Sequence, residues 1–451
     1  MLHQAMCFTG VRLRCLKMSD STAKAKKMGT ESLPKLLLKY SSVTFCALLF
    51  SSLYNIADTL FVSYGIGDTA MAGVSVVYPF MILQGAFAQT VGSGAGTLVS
   101  KYLGEKNYEK AGEVTASAMA VFYTTTATLG ALSIVFCPIV LKLLGAEGEI
   151  YPYARDYLVI IAAGNVFSTG FSSIIRAEGR MGYSLLIWLI PTAFNILADY
   201  IFIFVFDMGV KGAALATVGA QLISFLMSVI FFWRISCQRL KGAKPCIKTI
   251  KNIIALGIPV LLQMGGMSVI FIVVNNRLSY FLTAAWVSAF AYVGKIATFF
   301  IIPFNALIQA ASPIISYNHG AGNTQRISKT LRYCVVALYA YSLAAVVLIR
   351  FVSPQLMGIF TKSCEIVSIG SNALNIIAFA AFFLPPVLII GTYFQAVGNK
   401  KKSLWVNLLL IVILSLFIGV FAAIDCEKIW FAMPSGCFAA LLAGLAVCKK
   451  Q

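Results

Sequence analysis

The sequence predicts an all-α polytopic membrane protein. Twelve transmembrane helices are expected, in two six-helix halves related by a pseudo-two-fold axis along the membrane normal. Three observations predict this. Hydrophobic residues make up 59% of the chain and charged residues 11%, with a mean hydropathy of +0.87; a soluble chain is nearer ~25% charged. Apolar runs of about 20 residues, each long enough to cross a bilayer, recur along the whole length. Short motifs also repeat in tandem. Gly104 and Asn107 of KYLGEKNYEK recur as Gly320 and Asn323, and Gly179 and Ser184 of RAEGRMGYSL recur as Gly398 and Ser403. Six spans per repeat is an even number, so the halves share one orientation, as in many secondary transporters.

The apolar runs fall at 40–64, 70–98, 114–136, 152–175, 183–206, 210–233, 252–276, 284–314, 331–352, 366–396, 403–424 and 428–448. Residues 29–233 make the first half, 234–251 a basic linker, and 252–451 the second half. Residues 1–28 are basic and lack the long apolar core and small-residue cleavage site of a signal peptide. They are expected to be a disordered extension, or to precede a natural start at Met28.

The net charge of +19 could suggest nucleic acid, but its distribution excludes that reading. The basic residues gather in the N-terminal segment, at the C-terminus, and in the loops after even-numbered spans. Loops after odd-numbered spans hold acids such as Glu147, Glu149, Asp207, Asp425 and Glu427. The positive-inside rule then places both termini in the cytoplasm. No soluble stretch is long enough for a basic nucleic-acid-binding face. Eleven cysteines with no CxxC argue against a disulfide framework or a zinc site. Two histidines and no nucleophile–base pair leave an enzyme without machinery. No cofactor and no resident metal are expected.

The first span contains Asp58 and the fifth contains Asp199. These are the two carboxylates well inside apolar runs, where a charge costs roughly 2.5 kcal/mol or more. Counted from the outer turns at about ~1.5 Å per residue, Asp58, Asp199 and Thr217 of the sixth span lie at a similar depth. Asn195 and Asp199 are i and i+4 and share a helix face. Pro191, one turn earlier, can free backbone carbonyls. The glycines of QTVGSGAG in the second span lack a following GK[ST] and a preceding strand, so close helix packing explains them better than a phosphate loop. The second half has no matching acids. Asn275 stands near the position the repeat gives Asp58. Lys295 in the eighth span either faces a central cavity or snorkels, and Arg277 lies near the interface. Pro385 and Pro386 are expected to break the tenth span.

Taken in order, YNIADTLFV, SKYLGEKN, IIRAEGR, NILADYIFIF and GVKGAALAT, with the later echoes LGIP, HGAGN and QAVGNKK, resemble the multidrug and toxic compound extrusion (MATE) family over about residues 29–448. The likeness is to the bacterial branch whose coupling acids lie in the N-terminal lobe. It implies two six-helix lobes across a central cavity and export of cationic or amphipathic compounds in exchange for H⁺ or Na⁺. It also implies a monomer in the bacterial inner membrane, with the lipid bilayer and small substrates as its partners. Asp58, Asn195, Asp199 and Thr217 match the family's cation site, with H⁺ or Na⁺ as coupling ion, and Lys295 is a possible cavity charge. Val43 departs from the proline common at the start of the first span. Two carboxyl groups in a poorly solvated pocket should not both be ionised without a counter-ion. A lipid-linked saccharide flippase of similar architecture is the alternative; it would line its cavity with more cationic residues. A third reading has the two acids serving packing alone.

Overall fold

The structure is a computed structural model and describes residues 23–449 apart from 169, 239 and 241. The side chains of some helical residues, Asn275 among them, lie outside the described part. Residues 23–30 are helical, α1, where the sequence suggests a disordered extension; the rest of that expectation falls on residues 1–22, outside the described residues. Every other element among the described residues is also helical. In the first half these are α2 (Leu33–Gly65), α3 (Asp68–Gly104), α4 (Tyr108–Val135), α5 (Cys137–Leu144), α6 (Tyr151–Gly164), α7 (Ser172–Ala177), α8 (Met181–Tyr200) and α9 (Gly209–Arg234). Then follow α10 (Ile247–Phe281), α11 (Ala284–Gly320), α12 (Thr324–Gly358), α13 (Cys364–Ile377), α14 (Ala380–Ala396), α15 (Lys400–Ile424) and α16 (Ala432–Lys449).

Eleven helical stretches among the described residues are long and apolar enough to span a bilayer, and the bent pair α13–α14 makes a twelfth. The chain forms two compact units, one built on Ser42–Gly257, the other on Ile258–Gln451 with Ser32–Ser41. Large apolar side chains such as Leu143, Trp233 and Phe351 are exposed, while many small and polar ones are buried. That inversion is what a lipid-facing surface requires, since only backbone and side-chain polar groups need shelter from hydrocarbon.

The internal repeat extends to single hydrogen bonds. Ser100 Oγ on α3 donates to the Ala177 carbonyl at 3.0 Å, and Ser316 Oγ on α11 donates to the Ala396 carbonyl at 3.0 Å. Ser184 Oγ donates to Ser172 O at 3.4 Å, and its counterpart Ser403 Oγ to Gly391 O at 3.0 Å. Asn107 caps α4 by accepting from Lys110 N–H, and Asn323 caps α12 by accepting from Arg326 N–H, both at 3.0 Å. Such caps satisfy helix N–H groups that have no intrahelical partner.

Two spans differ from their simple reading. The fourth is interrupted: a 3₁₀ turn at Asn165–Phe167 and a non-helical stretch separate α6 from α7. Asn165 Nδ2, buried at the break, donates to the Thr126 carbonyl at 3.0 Å. The tenth span bends by 47° between α13 and α14, upstream of Pro385 and Pro386, and α14 runs through both prolines. The expected break at the prolines is therefore misplaced, and the reason is local. Pro385 has no N–H for the carbonyl of Ala381, and Ser342 Oγ on α12 donates to that carbonyl instead at 2.6 Å. A neighbouring helix supplies the missing bond, so the proline can sit inside a helix.

The α3 glycines do pack helices closely. A Cβ at Gly92 would lie 2.5 Å from the Gly170 carbonyl oxygen, and one at Gly96 would lie 3.0 Å from that of Ser173. The loop after α7 holds the linker. Glu178 is fully buried. It accepts from Ser236 Oγ at 2.5 Å, Cys237 N–H at 3.1 Å and Gln238 Nε2 at 2.6 Å. Burial pushes its carboxyl above the ordinary range, and the donors of Ser236, Cys237 and Gln238 pull partly against that shift. At the other end of the linker, Cys246 N–H donates to Ser117 Oγ at 3.0 Å and Thr249 Oγ1 to Glu113 Oε1 at 2.5 Å.

Candidate functional site

The site is built on α8, α9 and α2. Asn195 and Asp199 share the buried face of α8, at 1% and 0% exposure. Pro191 stands one turn earlier in the same helix. Thr217 is on α9, the helix packed along α8, and is buried too. Asn195 ties the pieces together. With its amide nitrogen turned to Asp199, it donates to Asp199 Oδ2 at 3.0 Å and its oxygen accepts from the Thr217 N–H at 3.2 Å. That orientation follows from the partners on either side.

Asp58 on α2 completes the group, its carboxyl lying beside that of Asp199, near enough to share a hydrogen bond. A hydrogen bond between two carboxyl groups needs a proton between them, as in other paired acids. The oxygens left over define the chemistry. Asp58 Oδ1, Asp199 Oδ1 and Thr217 Oγ1 are buried with no hydrogen-bond partner. An orphaned buried acceptor costs about 1–3 kcal/mol. Three in one neighbourhood form a donor set for a small cation, combining carboxylate and neutral oxygens.

Just past Asp199 the helix changes pitch. Ile201–Val205 form a π-turn, closed by Phe206 N–H donating to the Ile201 carbonyl at 2.9 Å. Such turns recur at functional sites because they redirect side chains without ending the helix. Ile203 and Phe204 pack against Gly65 of α2, and Phe204 meets Phe61 edge-on at 6.0 Å between centroids. These rings cover α2 within two turns of Asp58.

Asn195 and Thr217 also line a cavity of about 300 Å³ inside the first half. Its wall includes Gln89, Ser168, Trp188 and Gln221 and, among the described residues, no Lys or Arg. The interrupted fourth span contributes Ser168, Gly170 and Ser172. Sequence reasoning put Asp58, Asp199 and Thr217 at one depth and Asn195 on the helix face of Asp199, and the structure brings the four side chains together. It missed the π-turn, the span-four break and Gln221. The last had a signal: a polar residue at i+4 from Thr217 in an apolar span. Lys295 is exposed on α11 in the second half, with Nζ 5.9 Å from the ring centre of Phe360; it does not line this cavity.

The sequence model of the MatE family matches residues 44–201 and 259–421, in both halves of the chain. The chain belongs to the MATE family. Asp58, Asn195 and Asp199 fall inside the matched residues, and Thr217 falls between the two segments. Among characterised MATE relatives, the multidrug export protein MepA of Staphylococcus haemolyticus is 25% identical over 351 residues, covering 76% of this chain and 77% of its own. MepA of Staphylococcus aureus strain N315 is 25% identical over 377 residues, covering 82% and 83%. Solved structures agree in fold. An outward-facing multidrug resistance MATE transporter of the MOP superfamily superposes with a TM-score of 0.86 at 22% identity, covering 93% of this chain and 96% of that one. A MOP-superfamily transporter from Pyrococcus furiosus gives 0.85 at 22% identity over the same shares. The MATE architecture of two six-helix lobes is thus the fold of this chain.

Proposed function

We propose that this MATE protein is a secondary active multidrug exporter, moving cationic or amphipathic compounds out of the cell in exchange for H⁺ or Na⁺. The observation that carries the proposal is the acid pair. Asp58 and Asp199 sit in contact on different helices, with partnerless oxygens beside them and an amide bridge to Thr217. A fold needs no such arrangement for its own stability. Arrival of a proton or Na⁺ at these oxygens takes the pair, already holding one proton, from a charge of −1 to neutral, and its departure restores the buried negative charge. Each event changes the favoured packing of α2, α8 and α9, and a ligand shifts such an equilibrium by its difference in affinity for the two states.

The named activity of the MepA relatives, multidrug export, supports the transport class. A cavity wall without Lys or Arg suits cationic cargo and poorly suits the pyrophosphate of a lipid-linked saccharide. The basic loops favour cytoplasmic termini, and we take the chain to act as a monomer in a bacterial inner membrane. The test uses purified protein in vesicles loaded with ethidium, first under an imposed pH gradient, then a Na⁺ gradient. One gradient should drive efflux in the wild type. Asp199→Asn should fold, elute as a single species and show background efflux only. Undiminished gradient-driven efflux by that variant would sink the assignment.

A further inference from the structure

We infer that Gln221 is a fifth oxygen on the path of the coupling cation, receiving it in the first-half cavity and passing it to Thr217 and Asp199. The inference rests on the coupling role proposed for Asp58 and Asp199, and extends that site by one residue.

Three observations carry it. Gln221 lies four residues after Thr217 on α9, so the two side chains stand one above the other on one face. Both line the same cavity, as does Ser224 one further turn along. Gln221 Oε1 is itself a buried oxygen without a hydrogen-bond partner, as is Thr217 Oγ1. Thr217, Gln221 and Ser224 therefore form a polar stripe along the middle of α9. One end of the stripe adjoins Asn195 and the acid pair; the other runs down the cavity wall. A cavity of about 300 Å³ has room for several waters, enough to bring a hydrated cation to the stripe.

The repeat provides an internal control. The offset that carries Ser184 onto Ser403 carries Thr217, Gln221 and Ser224 onto Gly436, Ala440 and Ala443. The half without the acid pair has glycine and alanine at these three positions. A glutamine kept for generic helix packing would have no reason to follow the acids. The chemistry recognised is that of a small cation seeking oxygen lone pairs, either Na⁺ or a hydrated proton. Drug recognition would instead make Gln221 a contact of the cargo.

The experiment separates these. Ethidium efflux from vesicles is measured against graded Na⁺ and graded pH, and equilibrium ethidium binding is measured without a gradient. Gln221→Met keeps the side-chain length and removes the oxygen. Its half-saturating concentration of the driving cation should rise about tenfold, the effect of losing one contact of ordinary hydrogen-bond strength. Any change in ethidium affinity should be smaller than that shift. Gln221→Glu keeps an oxygen at the same reach and should restore or lower the half-saturating concentration. An unchanged cation dependence in Gln221→Met overturns the inference, as does a loss confined to ethidium affinity. So does a Gln221→Glu variant no better than Gln221→Met. Failure of the underlying reading looks different: wild-type efflux indifferent to both gradients, or Asp199→Asn still driven by one.

Discussion

The two halves of the molecule fold on one plan and fill one set of positions in opposite ways. The repeat carries Asp58 onto Val274, Asn195 onto Leu414, Asp199 onto Ile418 and Thr217 onto Gly436. Val274, Leu414 and Ile418 are buried together in the apolar core of the second half. Even the contact is conserved in kind. Asn195 touches Thr217 through an amide; Leu414 reaches so close to Gly436 that a Cβ there would lie 2.9 Å from its Cδ2. The second half shows that this architecture closes well with Val, Leu and Ile at these places. The polar set of the first half is therefore a departure from the most stable filling, of the kind that function maintains against stability.

The sharpest way to break this contrast is to exchange the two fillings. Ile418→Asp places a lone carboxyl among apolar side chains and should destabilise the protein by about 3–5 kcal/mol, as uncompensated buried charges do. A collapse of the monodisperse fraction on heating in detergent would report it. The mirror variant, Asp199→Ile, should melt no lower than the wild type while transporting nothing. If Ile418→Asp melts with the wild type, packing does not separate the halves.

Truncation should give the next largest effect. Leu414→Ala removes core volume and should cost about 2–5 kcal/mol. Asn195→Ala leaves Asp199 Oδ2 without its donor, at about 1–3 kcal/mol, with transport lost far beyond what that melting shift explains. Equal melting shifts with transport intact in both would erase the distinction.

A smaller difference is expected at Glu178, whose counterpart is Val397. Burial raises the Glu178 carboxyl in the folded chain. Its linked stability is fully present below the ordinary carboxyl value of about 4.3 and is lost as pH rises through the raised value. Wild-type melting relative to Glu178→Gln should therefore fall as pH rises above about 4.3; a flat difference would mean that the folded chain does not hold this proton more tightly.

The smallest effects test what the halves share. Ser100→Ala and Ser316→Ala each remove one repeated hydrogen bond and should lower stability by about 1 kcal/mol. Clearly unequal shifts would show that the repeat is shallower than its geometry.

The parts legible in the sequence were those with a one-dimensional signature. Apolar runs carry span number, tandem motifs carry the two halves, and a carboxylate in hydrocarbon announces itself. Asp58 and Asp199 could be set at one depth because helix rise converts residue count into distance. The breaks were less legible, because they depend on partners far along the chain. Pro385 looked like an interruption until Ser342 supplied its missing donor from α12. Asn165 gave no warning of the fourth-span break, since its acceptor is a carbonyl on α4. The π-turn after Asp199 has no residue signature in IFIFV; packing against Gly65 distinguishes it. Gln221 was visible as a polar residue, but its meaning depends on a cavity, which is a property of three helices together.

The stapled linker has a consequence for covalent continuity. At its start, Ser236, Cys237 and Gln238 are fastened to Glu178; at its end, Cys246 and Thr249 are fastened to Ser117 and Glu113. Ser236, Cys237 and Gln238 lie before residues 239–245 and Cys246 and Thr249 after them, and the partners of both sets lie in the first half. A chain nicked in that interval would part company with no anchor. The two six-span pieces could thus be encoded apart, with the bonds of Cys246 to Ser117 and of Thr249 to Glu113 then serving as non-covalent ties from the start of the second piece to the first.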